Sequence, residues 1–164
     1  MPEAPILVLG IGNTLLMDDG VGVRLVEEFR SLGTLPADEV EFLDGGTQDL
    51  SLLGRLAGRR ALVILDAVKL GAAPGTVHCL TLEQALASGS RSTTAHEGNA
   101  GELLRMAMML GELPDRVAVI GVEAASFEIG LGLSEPVRQA MPAAMDAARE
   151  AITAARSPRE PGRT

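Results

Sequence analysis

Ile6-Leu7-Val8-Leu9-Gly10-Ile11-Gly12-Asn13-Thr14-Leu15-Leu16-Met17-Asp18-Asp19-Gly20-Val21-Gly22 begins as an apolar run and ends on a segment of helical period. The four apolar residues at 6–9 read as a buried strand. Val21, Leu25, Val26, Phe29 and Leu32 form the apolar stripe of the following helix, and Gly33 stands where a helix-ending glycine belongs. A glycine loop between strand and helix is commonly a phosphate cradle. Gly10-x-Gly12 matches the start of the dinucleotide fingerprint, but Leu15 takes the third glycine position. A pyrophosphate would also face Asp18 and Asp19. Two like charges about 5 Å apart repel by about 3 kcal/mol at an effective dielectric of about 20. The loop therefore reads as a tight turn in which one aspartate can cap the helix. A cap does not account for both, and the acidic pair points toward a metal rather than a nucleotide.

Beyond this unit the same alternation continues. Residues 40–43 read as a second strand ending at Asp44-Gly45-Gly46, and Leu50, Leu53 and Leu56 mark a short helix. Residues 61–65 are the most apolar strand and end at Asp66. Residues 71–75 form a turn, 76–80 alternate like an edge strand, and 83–98 are irregular. Asn99 and Glu102 have capping-box-like spacing before a helix to about Gly111. Residues 117–122 are the last strand. Ser134 reads as the N-cap of a final helix, with Pro136 in its first turn and Pro142 placed to kink or split it. Strands alternating with helices predict an α/β fold: a mostly parallel sheet of about five strands flanked by helices. The expected domain is residues 1–155, with 156–164 as a frayed polar tail.

The 164 residues suffice for one sizeable core. There is no Trp or Tyr and only three Phe, so aliphatic residues and Met must fill it. The formal net charge of −8 argues against nucleic acid or an anionic membrane as partner, since both need a positive field. No apolar run reaches the roughly 18 residues of a membrane span. The single cysteine, Cys79, excludes an intrachain disulfide framework and fits a reducing compartment. Residues 1–5 lack the basic start of a signal peptide, so a cytoplasmic location is expected.

Nucleophilic hydrolase patterns are missing. There is no G-x-S-x-G elbow, Cys79 sits mid-strand without an activating neighbour, and His96-Glu97 is not followed by the second histidine of H-E-x-x-H. Asp44 and Asp66 close strands, and Asp18 and Asp19 follow one, which gathers carboxylates at one rim of a parallel sheet. Asp66 taken alone fits a turn-capping role better than a ligand role. His96 lies just ahead of a predicted helix start, where the helix dipole favours the neutral ring that a metal requires. His78 reads as an edge-strand residue. Asp19, Asp66 and His96 remain as a set of two carboxylates and an imidazole able to hold a borderline divalent ion such as nickel or zinc.

Gly10-x-Gly12-Asn13-x-Leu15-x-x-Asp18-Asp19-x-x-Gly22-Val23-Arg24 resembles the signature of the hydrogenase maturation proteases. Asp44-Gly45-Gly46-Thr47, Leu65-Asp66-Ala67, the His96 loop and Gly130-Leu131-Gly132-Leu133-Ser134 resemble further blocks in the family's order, over residues 6–150. The resemblance implies a single three-layer domain with a twisted sheet. It implies an aspartyl-type endopeptidase that trims the C-terminus of a [NiFe]-hydrogenase large-subunit precursor after nickel insertion. It carries a metal trio onto Asp19, Asp66 and His96, which are also the candidate catalytic groups, with Asp44, Gly45 and Gly46 as substrate-binding residues. The nickel would be presented by the precursor, and zinc or cadmium could replace it in a crystal. Asp19 is a shorter arm than the Glu common at that position, and the glycine after His96 is shifted to Gly98. A different class also fits: a maturation chaperone that binds metal or precursor without cutting, with Met106, Met108 and Met109 as an adaptable surface.

Overall fold

The computed structural model describes residues 3–47, 50–89 and 100–157. Five strands form one sheet: β1 (Ile6–Ile11), β2 (Val40–Gly46), β3 (Ala61–Val68), β4 (Val77–Thr81) and β5 (Arg116–Glu123). Their order is β2-β1-β3-β5-β4, parallel except for β4, which runs antiparallel to β5 at the edge. The helices are α1 (Val21–Leu32), α2 (Leu53–Leu56), α3 (Leu82–Gly89), α4 (Ala100–Met109) and α5 (Glu135–Arg156).

Strand alternation sends successive side chains into two cores. Ile6, Val8, Val63, Leu65, Ile120 and Val122 pack against α1 and α5. Leu7, Leu9, Leu62, Ile64 and Val119 pack against α2, α3 and α4. This is the expected three-layer α/β domain. Few aromatics are needed because α5 presents small residues, Ala140, Ala144, Ala148 and Ala155, that let it lie close to the sheet. The one ring pair, Phe29 and Phe42, stacks at 5.0 Å.

Several sequence expectations change. β3 does not end at Asp66 but continues to Val68, so Asp66 is an internal strand residue paired with Gly121. The segment expected to be irregular begins with a helix, α3, whose buried Ala85 joins the core. Pro142 does not split α5, which runs unbroken to Arg156. Arg156, expected in the tail, ends that helix. The capping residue Asn99 and the tail beyond Ser157 lie outside the described residues.

The chain leaves β1 through α1 on one face and leaves β3 toward α3 and α4 on the other. β1 and β3 are therefore the topological switch, where ligands of open α/β sheets gather. α1 enters this crevice through Gly22, where an added Cβ would lie 2.0 Å from the Leu65 carbonyl oxygen and 2.8 Å from that of Ile11. Gly22→Ala should therefore push α1 off the strand ends and cost about 3 kcal/mol, the scale of severe core overpacking. Thermal unfolding should show a drop of roughly 10 °C. Gly54→Ala, where the new methyl meets nothing within 4 Å, should stay within about 0.5 kcal/mol of the parent. Equal melting of both variants would refute the close approach at Gly22.

Candidate active site

The loop after β1 folds back on itself. Gly12 takes φ +130°, and a Cβ there would sit 1.8 Å from the Asp19 carbonyl oxygen. Asn13 closes a small turn by accepting the Leu15 N–H at 2.9 Å. Met17–Gly20 form a 3-10 turn, entered through Met17 at φ +46°, the one left-handed non-glycine among the described residues. The Asp19 carboxylate accepts the Asn13 N–H at 2.8 Å, which ties its side chain across the loop.

Asp66 stands one row beyond the last residue of β3 that pairs with β1. The neighbour strand β1 no longer pairs with β3 there, at the switch point of the sheet. One carboxylate oxygen accepts the Ala67 N–H at 2.8 Å and the other the Ala100 N–H at 3.2 Å, at the start of α4. The side chain is buried, and burial raises its pKa well above the ordinary carboxylate value. The nearby Asp19 charge raises it further, while the two backbone N–H groups pull it down. Asp19 and Asp66, distant in sequence, are thus electrostatic neighbours at the switch point.

The twin aspartates divide. Neither aspartate caps α1, whose N-cap residue is Gly20, and Asp18 has another use. Its buried carboxylate instead accepts the N–H groups of Ala125 at 2.8 Å, Ser126 at 3.1 Å and Ser134 at 2.7 Å, and the Ser134 hydroxyl at 2.8 Å. Ser134 does precede α5, but its hydroxyl makes no helix cap and is given to Asp18. These partners are more than 100 residues away, so local spacing held no sign of them.

Asp44 is exposed on β2 beside Gly10, and its carboxylate accepts the Gly46 N–H at 2.9 Å. By strand alternation it leans to the α1 face, with Gly10, while Asp66 leans to the α4 face. Gly45 is buried against Leu9 and Leu52, and the Gly46 carbonyl accepts the Gly12 N–H at 2.8 Å. His96 lies outside the described residues, and among the described residues no group of three His, Cys, Asp or Glu side chains could hold a metal.

Sequence reading passed over Glu123. This buried residue ends β5 and accepts the N–H groups of Leu70, Gly71 and Ala72 on one oxygen. Its other oxygen lies 3.0 Å from Nε2 of His78. It pins the turn after β3 and explains the edge-strand histidine. A Glu at the end of an apolar strand was its only sequence signal.

A family model described as hydrogenase maturation protease matches residues 23–151. Hydrogenase 2 maturation protease of Escherichia coli (strain K12) is 39% identical over 142 residues, 86% of each chain. The hydrogenase expression/formation protein HupD of Rhizobium leguminosarum bv. viciae is 39% identical over 150 residues, 90% of this chain and 74% of that one. The solved structure of the hydrogenase maturating endopeptidase HybD from E. coli superposes with a TM-score of 0.83 at 36% identity, covering 92% of this chain and 93% of that one. The [NiFe] hydrogenase maturation protease HybD from Thermococcus kodakarensis gives 0.71 at 27% identity, covering 88% and 97%.

The buried carboxyl makes stability depend on pH. Below about pH 4 Asp66 is protonated in both folded and unfolded chains, and its burial costs little. As pH rises the unfolded chain ionises first, so the folded state loses relative stability until Asp66 itself ionises. Asp66→Asn removes this effect. Urea unfolding from pH 4 to 7 should show the variant gaining on the parent, by about 1.4 kcal/mol for each tenfold rise in proton affinity. A stability difference that does not change with pH would contradict the assignment.

Proposed function

The chain belongs to the hydrogenase maturation protease family, a family of endopeptidases, and on that premise we propose that it removes the C-terminal peptide of a [NiFe]-hydrogenase large-subunit precursor once nickel has been inserted. The observation that carries this reading is the Asp19–Asp66 pair at the β1/β3 switch point, with Asp66 buried beside a second carboxylate. Such a pair is poorly matched to water and well matched to a cation, which offsets both the burial and the like-charge repulsion. The nickel belongs to the substrate. Asp19, Asp66 and His96 complete its coordination when the loaded precursor docks. His96 stands only four residues before Ala100 in the chain, and Asp66 holds the Ala100 N–H.

A divalent ion in this position polarises a carbonyl or acidifies a bound water. The chain's own groups then set the proton traffic. Asp66 holds a proton more tightly than an ordinary carboxylate, so ion binding would release it. Asp19 or Asp66 would take the proton of the attacking water only in a state in which it is not itself a ligand. No Ser- or Cys-based nucleophile is required. β2 is an edge strand of the sheet, and in this proposal Asp44, Gly45 and Gly46 at its carboxyl end would meet the backbone of an extended substrate segment. Among the described residues no helix is long and apolar enough to cross a membrane. The single cysteine fits a reducing compartment, and a cytoplasmic site of action is part of this proposal.

Mass spectrometry of precursor incubated with the protein tests the reading. Nickel-loaded precursor should lose its C-terminal peptide and nickel-free precursor should stay intact. Asp19→Ala, Asp66→Ala and His96→Ala should each slow cleavage by at least roughly 100-fold, the upper range for loss of a group that merely supports a metal ligand. Full cleavage by all three variants would sink the site, and equal cleavage of nickel-free precursor would sink the nickel check. A bound but uncut precursor would indicate a chaperone.

A further inference from the structure

The rim that carries Asp19 also carries an apolar tip. Leu15 is 60% exposed, Ile129 91% and Leu131 80%. They flank one short parallel bridge, Leu16 to Gly130. The Gly130 N–H donates to the Leu15 carbonyl at 2.9 Å, the Met17 N–H to the Gly130 carbonyl at 3.1 Å, and the Asp18 N–H to the Ser126 carbonyl at 3.2 Å. The four bonds to the Asp18 carboxylate lock the same two segments together from beneath. Three large aliphatic side chains are thus held in water on backbone that is fastened down.

We propose that Leu15, Ile129 and Leu131 form a docking tip for an apolar segment of the precursor, which rests on the function proposed above. Three observations select this occupant. The tip is tied to Asp19 through Asn13, which gives its N–H to the Asp19 carboxylate and accepts the Leu15 N–H on its side chain, so a segment seated at Asp19 lies next to Leu15. Three side chains fall well short of the ~800 Å² per partner that a stable interface buries. The tip therefore adds to the contacts of a partner already seated in the crevice and does not support a pair of identical chains. The chain carries a net charge of −8, and the crevice is acidic, so charge gives little attraction to a neutral or acidic protein. Apolar contact supplies what charge does not, and its preformed backbone lowers the ordering cost of binding.

The test measures binding and cleavage of nickel-loaded precursor by the parent, by Ile129→Asp/Leu131→Asp, and by Leu32→Asp. Leu32 is 46% exposed at the last residue of α1, about 15 Å along the helix from Gly22. The double variant should melt like the parent, bind the precursor at least tenfold more weakly, and show a raised KM with kcat within twofold. Leu32→Asp should match the parent. Unchanged binding by the double variant would overturn the tip, as would an equal loss in Leu32→Asp. So would a parent dimer in sedimentation that the double variant abolishes. Failure of the parent to cut a precursor that it binds would count against the protease reading alone, since the binding comparison still decides the tip.

Discussion

Backbone packed directly on backbone at Gly22 sets the geometry on which the rest depends. The first turn of α1 sits between the diverging ends of β1 and β3, at a separation that admits no side chain. Gly12 does the same one turn earlier, beneath the Asp19 carbonyl. These contacts draw the 3-10 turn down onto the end of β3. The Asp19 charge is felt at Asp66 with the helix seated this deeply, and a methyl group at either glycine would lift the turn away. The glycine loop is shaped like a phosphate cradle for the same steric reason that such cradles use glycine, yet what it delivers to the crevice is negative charge.

Adjacent residues in that turn have opposite roles. Asp18 points inward and is surrounded by four donors, which satisfy a buried carboxylate and bind the β1 loop to the segment before α5. Asp19 points toward the crevice, with one N–H bond and a second carboxylate nearby. One is balanced by hydrogen bonds, and the other is left to interact with what enters. The raised proton affinity of Asp66 is the electrostatic consequence, since burial and a like charge together outweigh two N–H donors. Clamp, acidic pair and apolar tip are therefore parts of one loop assembly rather than separate features.

Much of the frame was legible because it rests on local periodicity. The α1 stripe, except for Leu32, which is exposed, and its Gly33 terminus, in left-handed φ, follow from helical spacing and from the freedom of glycine. The edge placement of β4 and the start of α5 at Ser134 follow from alternation and from proline position. The extent of β3 was misjudged because a charged residue inside a strand resembles its end. Asp66 is tolerated there because β1 has already turned away and backbone donors meet its oxygens. α3 was missed because its short Ser- and Gly-containing run has little periodic signal, and packing of Ala85 against the sheet supplies the difference.

The amino-acid sequence by itself determined the layered α/β pattern, the acidic glycine loop and the order of blocks that places the chain in its family. Each is local chemistry, written in the spacing of apolar residues, glycines and carboxylates along a few turns or strands. Only the tertiary structure decided which carboxylates meet and which is consumed as a clamp. It joined Asp19 to Asp66, gave Asp18 to Ser134 and Glu123 to the turn after β3, and left Leu15, Ile129 and Leu131 together in water. Those outcomes depend on close approach between segments far apart in the chain, which no local spacing encodes.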